Sequence, residues 1–197
     1  MIDFDETICK TNAIEEMFKL KLGERLGYLR WKHYNNLVKY GKNTIEKSKS
    51  ESLQDLINIG ITTQECSNLL IKLEKEGKIR EEIVEVAQYL KKIGRKVIAT
   101  TRISQSLADS VMIRYGLNFG VGPEEKTVRG KLKILEQIID EWQSENATTL
   151  INRLYRILEK DKVGFDLENI SMLSANLEDI QTFKKIGYSV LLARDEM

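Results

Sequence analysis

A single histidine, two cysteines and a net charge of +1 in 197 residues remove several kinds of protein at the outset. Cys9 and Cys66 lie far apart with no C-x-x-C spacing, so neither a zinc site nor a disulfide framework is indicated. Two reduced thiols suit a reducing compartment. A charge this close to zero provides no global field to draw in nucleic acid. No apolar run approaches the ~20 residues of a membrane span, and the acidic start is unlike a secretory signal. The expectation is a cytoplasmic protein with no nucleic-acid and no membrane partner, acting as a monomer or homodimer. Internal repeats and low-complexity tracts are likewise absent.

What is present describes an ordinary globular chain, 42% hydrophobic and 31% charged, long enough for one domain with an elaboration. Strand-like runs are short: MIDF at the start, KVIAT (96–100), FGV (119–121), ISML near 171–173 and YSVLLA (188–193). Helical stripes lie between them. Ile83, Val86, Ala87, Leu90 and Ile93 precede Gly94, and Leu107, Val111, Met112 and Tyr115 precede Gly116. Three more stripes are Leu132–Trp142, Ile151–Leu158 and Leu177–Ile186. Strand alternating with helix predicts an α/β fold, a Rossmann-like parallel sheet flanked by helices. Residues 11–80 contain no convincing strand and read as helices, with the polar GKNTIEKSKSES (41–52) as a loop or junction. The organisation expected is an α/β core of residues 1–10 and 81–197, with 11–80 as a helical cap inserted after the first strand. Such an insertion would hang over the strand ends, where open α/β sheets bind ligands.

The chemistry starts at the first strand. Asp3 and Asp5 are one residue apart, and along a strand such a pair faces the same way. At the strand's end both would project into one crevice, ready to share a cation. DFDET (3–7) resembles the D-x-D-x-T signature of the haloacid dehalogenase (HAD) superfamily, whose members are mostly magnesium-dependent phosphatases. The resemblance implies that Asp3 is a nucleophile forming an aspartyl-phosphate, that Asp5 is the general acid and then base, and that Thr7 fixes the loop. A carboxylate attacks phosphorus only where positive charge offsets the repulsion between anions, and the leaving oxygen needs a proton.

The same resemblance assigns further parts. A hydroxyl ending the next core strand falls on Thr101, with Thr100 one residue away as the alternate. A lysine opening a helix after a glycine falls on Lys131 in RGKLKILEQII, with Lys133 as alternate, and it would neutralise the phosphoryl group. An acidic loop after the following strand falls on SANLED, giving Asp179 and Glu178 as magnesium ligands beside Asp3 and Asp5.

Two departures accompany these matches. Ala175 stands where the family has a carboxylate that binds the metal directly. Only Met1 and Ile2 precede Asp3, so either the central strand is short or the natural start lies further upstream. The long helical insertion resembles the branch with phosphoserine and phosphoglycolate phosphatases, but Asn12 stands near the position of the acid that would meet a substrate amine, which argues against phosphoserine. Glu15, Glu16, Arg30, Trp31 and His33 are candidates for a specificity pocket. The reading is a magnesium-dependent phosphatase of a small phosphorylated metabolite. The alternative, which Ala175 favours, is a catalytically degenerate relative that binds a ligand or protein.

Overall fold

The computed structural model describes residues 1–123, 125–128, 131–134, 146–160, 166–175 and 179–192. In chain order, strand β1 (Ile2–Asp3) leads through a tight turn into helices α1 (Ala13–Leu22), α2 (Glu24–Lys39), α3 (Ile45–Asn58) and α4 (Thr63–Lys75). Helix α5 (Glu81–Lys92), strand β2 (Ile98–Thr100), helix α6 (Gln105–Tyr115) and strand β3 (Phe119–Val121) follow. Strands β4 (Glu125–Val128) and β5 (Lys131–Ile134) make a separate antiparallel hairpin. Helix α7 (Asn146–Lys160), strand β6 (Ser171–Ser174), a short helix α8 (Ile180–Phe183) and strand β7 (Tyr188–Leu191) complete the order.

Five strands form one parallel sheet in the order β3-β2-β1-β6-β7. The chain runs outward from β1 through β2 to β3, then returns to the other side of β1 and continues through β6 to β7. The order therefore reverses beside β1, and the carboxyl ends of β1 and its neighbours lie at the position where open α/β sheets bind ligands. Pairing sets Asp3 opposite Thr100 and Ile2 opposite Leu173.

Alternation along β2 explains why the sheet is covered on both faces. Val97 and Ala99 join a core with Ile83 and Ala87 of α5 and Leu107 and Val111 of α6. Ile98 between them points the other way, against Leu154 and Leu158 of α7. Parallel strands need both faces dry, and these stripes supply the cover.

The helices α1–α4 are not a loose appendage. Met17, Phe18, Leu56, Leu69, Leu70 and Leu73 share one continuous apolar cluster with Ile2, Phe4 and Ile8. The outgoing and returning chain are stapled together: Cys9 bridges Ile79, Lys10 N donates to Lys78 O (2.8 Å) and Arg80 N to Ile8 O (2.8 Å). Helix α2 crosses α1 at Gly27, where a Cβ would lie 2.3 Å from Lys19 N, so only glycine permits the approach. Glu16, 1% exposed, accepts from Lys19 (3.0 Å), Lys72 (3.3 Å) and Lys78 (3.0 Å), which ties α1 to α4 and to the returning strand.

Two local expectations are settled or corrected. Of the two readings of 41–52, a loop or a helix junction, the structure has the junction: α2 ends at Lys39 and α3 starts at Ile45 with the Thr44 hydroxyl accepting from Lys47 N (3.2 Å). Ser48, Ser50 and Ser52 are buried within it, so tertiary packing overrides the low helix propensity of serine. Lys131 does not open a helix. It begins β5, paired with Val128 of β4, and the hairpin lies against α3. The rest of that expected stripe, from Leu135 onward to Trp142, lies outside the described residues.

Candidate active site

The strand stops at Asp3, which is buried at the carboxyl end of β1 with an extended backbone (φ −70°, ψ 149°). Asp5 belongs to the turn beyond, so strand alternation does not govern where it points. What governs it is the start of α1: Ala13 N donates to Asp5 Oδ1 at 2.8 Å. The helix begins there because the Asn12 side chain accepts from Glu15 N (3.2 Å), leaving Ala13 N, an otherwise unmatched donor of the first turn, for the carboxylate. Asn12 is thus a helix cap.

The turn is over-determined. Cys9 N donates back to Phe4 O (2.9 Å), and Glu6 sits at φ 56°, the one non-glycine residue with positive φ among the described residues. A guanidinium holds it from outside: Arg80 Nη1 donates to the carbonyls of Glu6 and of Thr7, the latter at 2.9 Å. Such rare backbone states persist where the surroundings enforce them, and they gather at functional sites.

Thr7 is fully buried and joins two loops. Its hydroxyl donates to Asp5 O (3.3 Å) and accepts from Ala175 N (2.8 Å), which fastens the turn after β1 to the chain leaving β6. On the other side of β1, Thr100 Oγ1 donates to Ile2 O (3.4 Å), while the buried Thr101 donates its N–H to Val121 O (3.0 Å). The Thr101 hydroxyl accepts from Ile103 N (3.2 Å).

Asp179 is brought to this end of the sheet and is buried, with both oxygens engaged. Ser174 Oγ donates to Oδ2 (2.6 Å), and Arg102 Nη2 donates to Oδ1 as an ion pair. Burial pushes the Asp5 carboxyl up to about 6, working against the positive charge of Lys49 from α3, the Ala13 N–H and Arg102. A carboxyl that holds its proton close to neutrality can give that proton and take it back.

The remaining expected residues fall elsewhere. Lys131 is on the hairpin, and Glu178 lies outside the described residues. Arg30 makes a two-point pair with Asp55 (2.6 and 2.7 Å), Glu15 pairs with Lys19, and Glu16 is enclosed by its three lysines. Trp31 packs on Tyr28 (6.1 Å) and His33 stands edge-on to Tyr34 (5.3 Å). Sequence reasoning missed Lys49, Arg80, Arg102 and Ser174. Arg102 had a visible signal, since it directly follows the strand-end threonines, whereas Lys49 was hidden in a serine-rich run.

Magnesium demands near-ideal octahedral oxygens, several of them commonly water. Of the residues expected to hold it, Asp3 and the Asp5 carbonyl are at the strand end, Asp179 is occupied on both oxygens, and residue 175 brings a methyl group. Among the described residues no group of three or more His, Cys, Asp or Glu side chains forms a metal cluster. Among the described residues, Asp3, the Asp5 carbonyl and an Asp179 engaged on both oxygens do not by themselves make a firmly held divalent site.

No family model and no curated protein sequence matches the chain. Solved structures do match its fold. One described as a phospho-aspartyl intermediate analogue of phosphoserine phosphatase gives a TM-score of 0.62 at 20% identity, covering 96% of this chain and 83% of the other. A protein of unknown function from Bordetella pertussis Tohama I gives 0.71 at 12%, over 96% and 87%. A HAD family hydrolase from Salmonella enterica subsp. enterica serovar Typhi gives 0.68 at 15%, over 94% and 59%. At such identities the likeness is one of fold. Among the described residues, no helix is long and apolar enough to cross a membrane.

Proposed function

The chain has the fold of the haloacid dehalogenase superfamily, and on that premise we propose that it is a phosphatase-type hydrolase acting on a small phosphorylated metabolite. The observation that carries this reading is the pairing of a buried Asp3 at the switch point of the sheet with an Asp5 held by the first N–H of α1. A carboxylate oxygen of Asp3 attacks phosphorus in line. The ester P–O bond breaks, and the leaving oxygen takes the proton of Asp5. Water then attacks the phosphorus of the aspartyl-phosphate, losing its proton to Asp5, and inorganic phosphate departs with Asp3 restored. Thr101, at the end of β2, is the hydroxyl offered to a phosphoryl oxygen, and Thr7 positions the loop that carries Asp5. The helices between residues 11 and 80 act as the cap that excludes bulk water, and their exposed positions set the substrate. Lys131, expected at a helix start, begins β5 instead, on a hairpin that lies against α3, the helix that also carries Lys49.

Magnesium is the ion the fold implies, and where it binds it offsets charge on the phosphoryl oxygens. The residues described above do not fit it well, so the steps above run on the chain's own side chains. Release from an aryl phosphate and from an alkyl phosphate, with magnesium and with EDTA, tests the mechanism. Asp3→Asn is expected to abolish release from both. Asp5→Asn should cost ~10²–10⁴-fold on the alkyl ester, whose leaving oxygen needs a proton, and less on the aryl ester. Equal release by Asp3→Asn would remove the assigned nucleophile. A second reading, a relative that binds phosphorylated ligands without turning them over, draws on Ala175 and on the engagement of Asp179 by Arg102. It predicts phosphate binding with no release from any ester.

A further inference from the structure

The crevice beside Asp3 needs positive charge, and the fold supplies one from an unexpected direction. Arg102 follows Thr101 at the carboxyl end of β2, yet its side chain ends on Asp179, in the segment that follows β6. Strands β2 and β6 are the two neighbours of β1, one on each side. Adjacent strands lie ~4.8 Å apart, so a side chain joining the end of β2 to the segment leaving β6 bridges about two strand spacings. It does so across the end of β1, where Asp3 closes the strand. The guanidinium also acts on the Asp5 carboxylate, together with Lys49 from α3. Two cations from separate elements thus act on Asp5, while the acid best placed to complete a metal site is taken up by one of them.

We propose that the guanidinium of Arg102, and not a divalent ion, is the resident cation of this site, and that it binds the phosphoryl group of a phosphomonoester directly. The inference rests on the phosphatase reading for the location of phosphorus against Asp3. A guanidinium is well matched to this role, because it is planar and permanently charged, is weakly hydrated, and carries donors in a fork fitted to two phosphate oxygens. The fork is oriented by Asp179, itself fixed by Ser174 (2.6 Å), so the cation is held in place before any ligand arrives. Ala175 fits the same picture. A carboxylate at that position would add negative charge beside an already neutralised Asp179 and compete with the incoming anion for Arg102.

Calorimetric titration with inorganic phosphate, once in EDTA and once in excess magnesium, tests the proposal. Wild type should bind with the same Kd, within about twofold, under both conditions. Arg102→Lys keeps the charge and loses the fork, and should weaken binding about tenfold. Arg102→Ala would strand a buried carboxylate and fail to fold, so the companion is the double variant Arg102→Gln with Asp179→Asn, which leaves a neutral pair. That variant should keep its circular dichroism spectrum and lose phosphate binding in EDTA. Binding that appears only with magnesium overturns the inference and leaves the phosphatase reading standing, as does Arg102→Lys or the folded double variant binding like wild type. Asp3-dependent ester hydrolysis without measurable phosphate binding has the same meaning. The phosphatase reading fails separately, through Asp3→Asn releasing product as fast as wild type.

Discussion

Glu16 shows how one side chain is made structural by its surroundings. A carboxylate 1% exposed would be prohibitive alone, and three ammonium groups reach it. Burial by itself would raise its pKa, but Lys19 and Lys78 outweigh that and hold it below the ordinary glutamate value. With the folded pKa below an unfolded value of ~4.3, the stabilisation is fully present above that value and is lost as pH falls through the folded one. Urea unfolding of wild type should therefore lose more stability between pH 5 and pH 3 than Glu16→Gln does. At neutral pH the variant should be less stable by about 1–2 kcal/mol, since its lysines are partly solvated. Equal pH slopes for the two proteins would mean the three lysines leave Glu16 unperturbed. In the sequence Glu16 looked like a candidate for substrate selection, because an acid on an amphipathic helix gives no sign of which cations the fold will bring to it.

Among the elements, those with a clean period were legible. Helices α5 and α6 end at Gly94 and Gly116 as their stripes predict, and β3 coincides with FGV. The misreadings share a cause. In α3 the pattern is carried by serines that look solvated, and only the partners supplied by α1 and α2 make their burial favourable. At β5 the alternation of KLKI was a strand signal, masked by the leucines and isoleucines that follow and also fit a helix, while EKTV of β4 carries no such alternation. At Gly27 two effects oppose each other. Alanine in a helix interior is favoured over glycine by about 1 kcal/mol. Against it stands a Cβ 2.3 Å from the backbone of Lys19, forcing α2 off α1. Overpacking of this kind costs ~1–3 kcal/mol and here meets backbone that cannot swing aside. Gly27→Ala should accordingly lower the thermal midpoint, and a raised midpoint would show the two helices able to separate without penalty.

For the whole molecule, the sequence separates an α/β part from a helical part, whereas the apolar cluster runs through both. Phe4 and Ile8, in the turn that carries Asp5, pack in one cluster with Met17, Phe18, Leu69, Leu70 and Leu73. Deleting residues 11–78 and joining the ends with two glycines sets chain closure against burial. Closure is easy, because Cys9 and Ile79 are already paired. Burial decides the other way: five large side chains at ~1.5–3 kcal/mol each approach 10 kcal/mol, comparable to the ~5–15 kcal/mol that holds a whole domain together. The shortened chain should show no cooperative transition in urea, and the full chain should unfold in a single step, with near- and far-ultraviolet dichroism superimposing. A cooperative transition in the deletion would mean that the sheet and α5–α7 hold a sufficient core of their own. In that case the turn bearing Asp5 would owe its geometry to Arg80, Thr7 and the Cys9–Phe4 backbone bond, and the inserted helices would be free to move relative to the acids they cover.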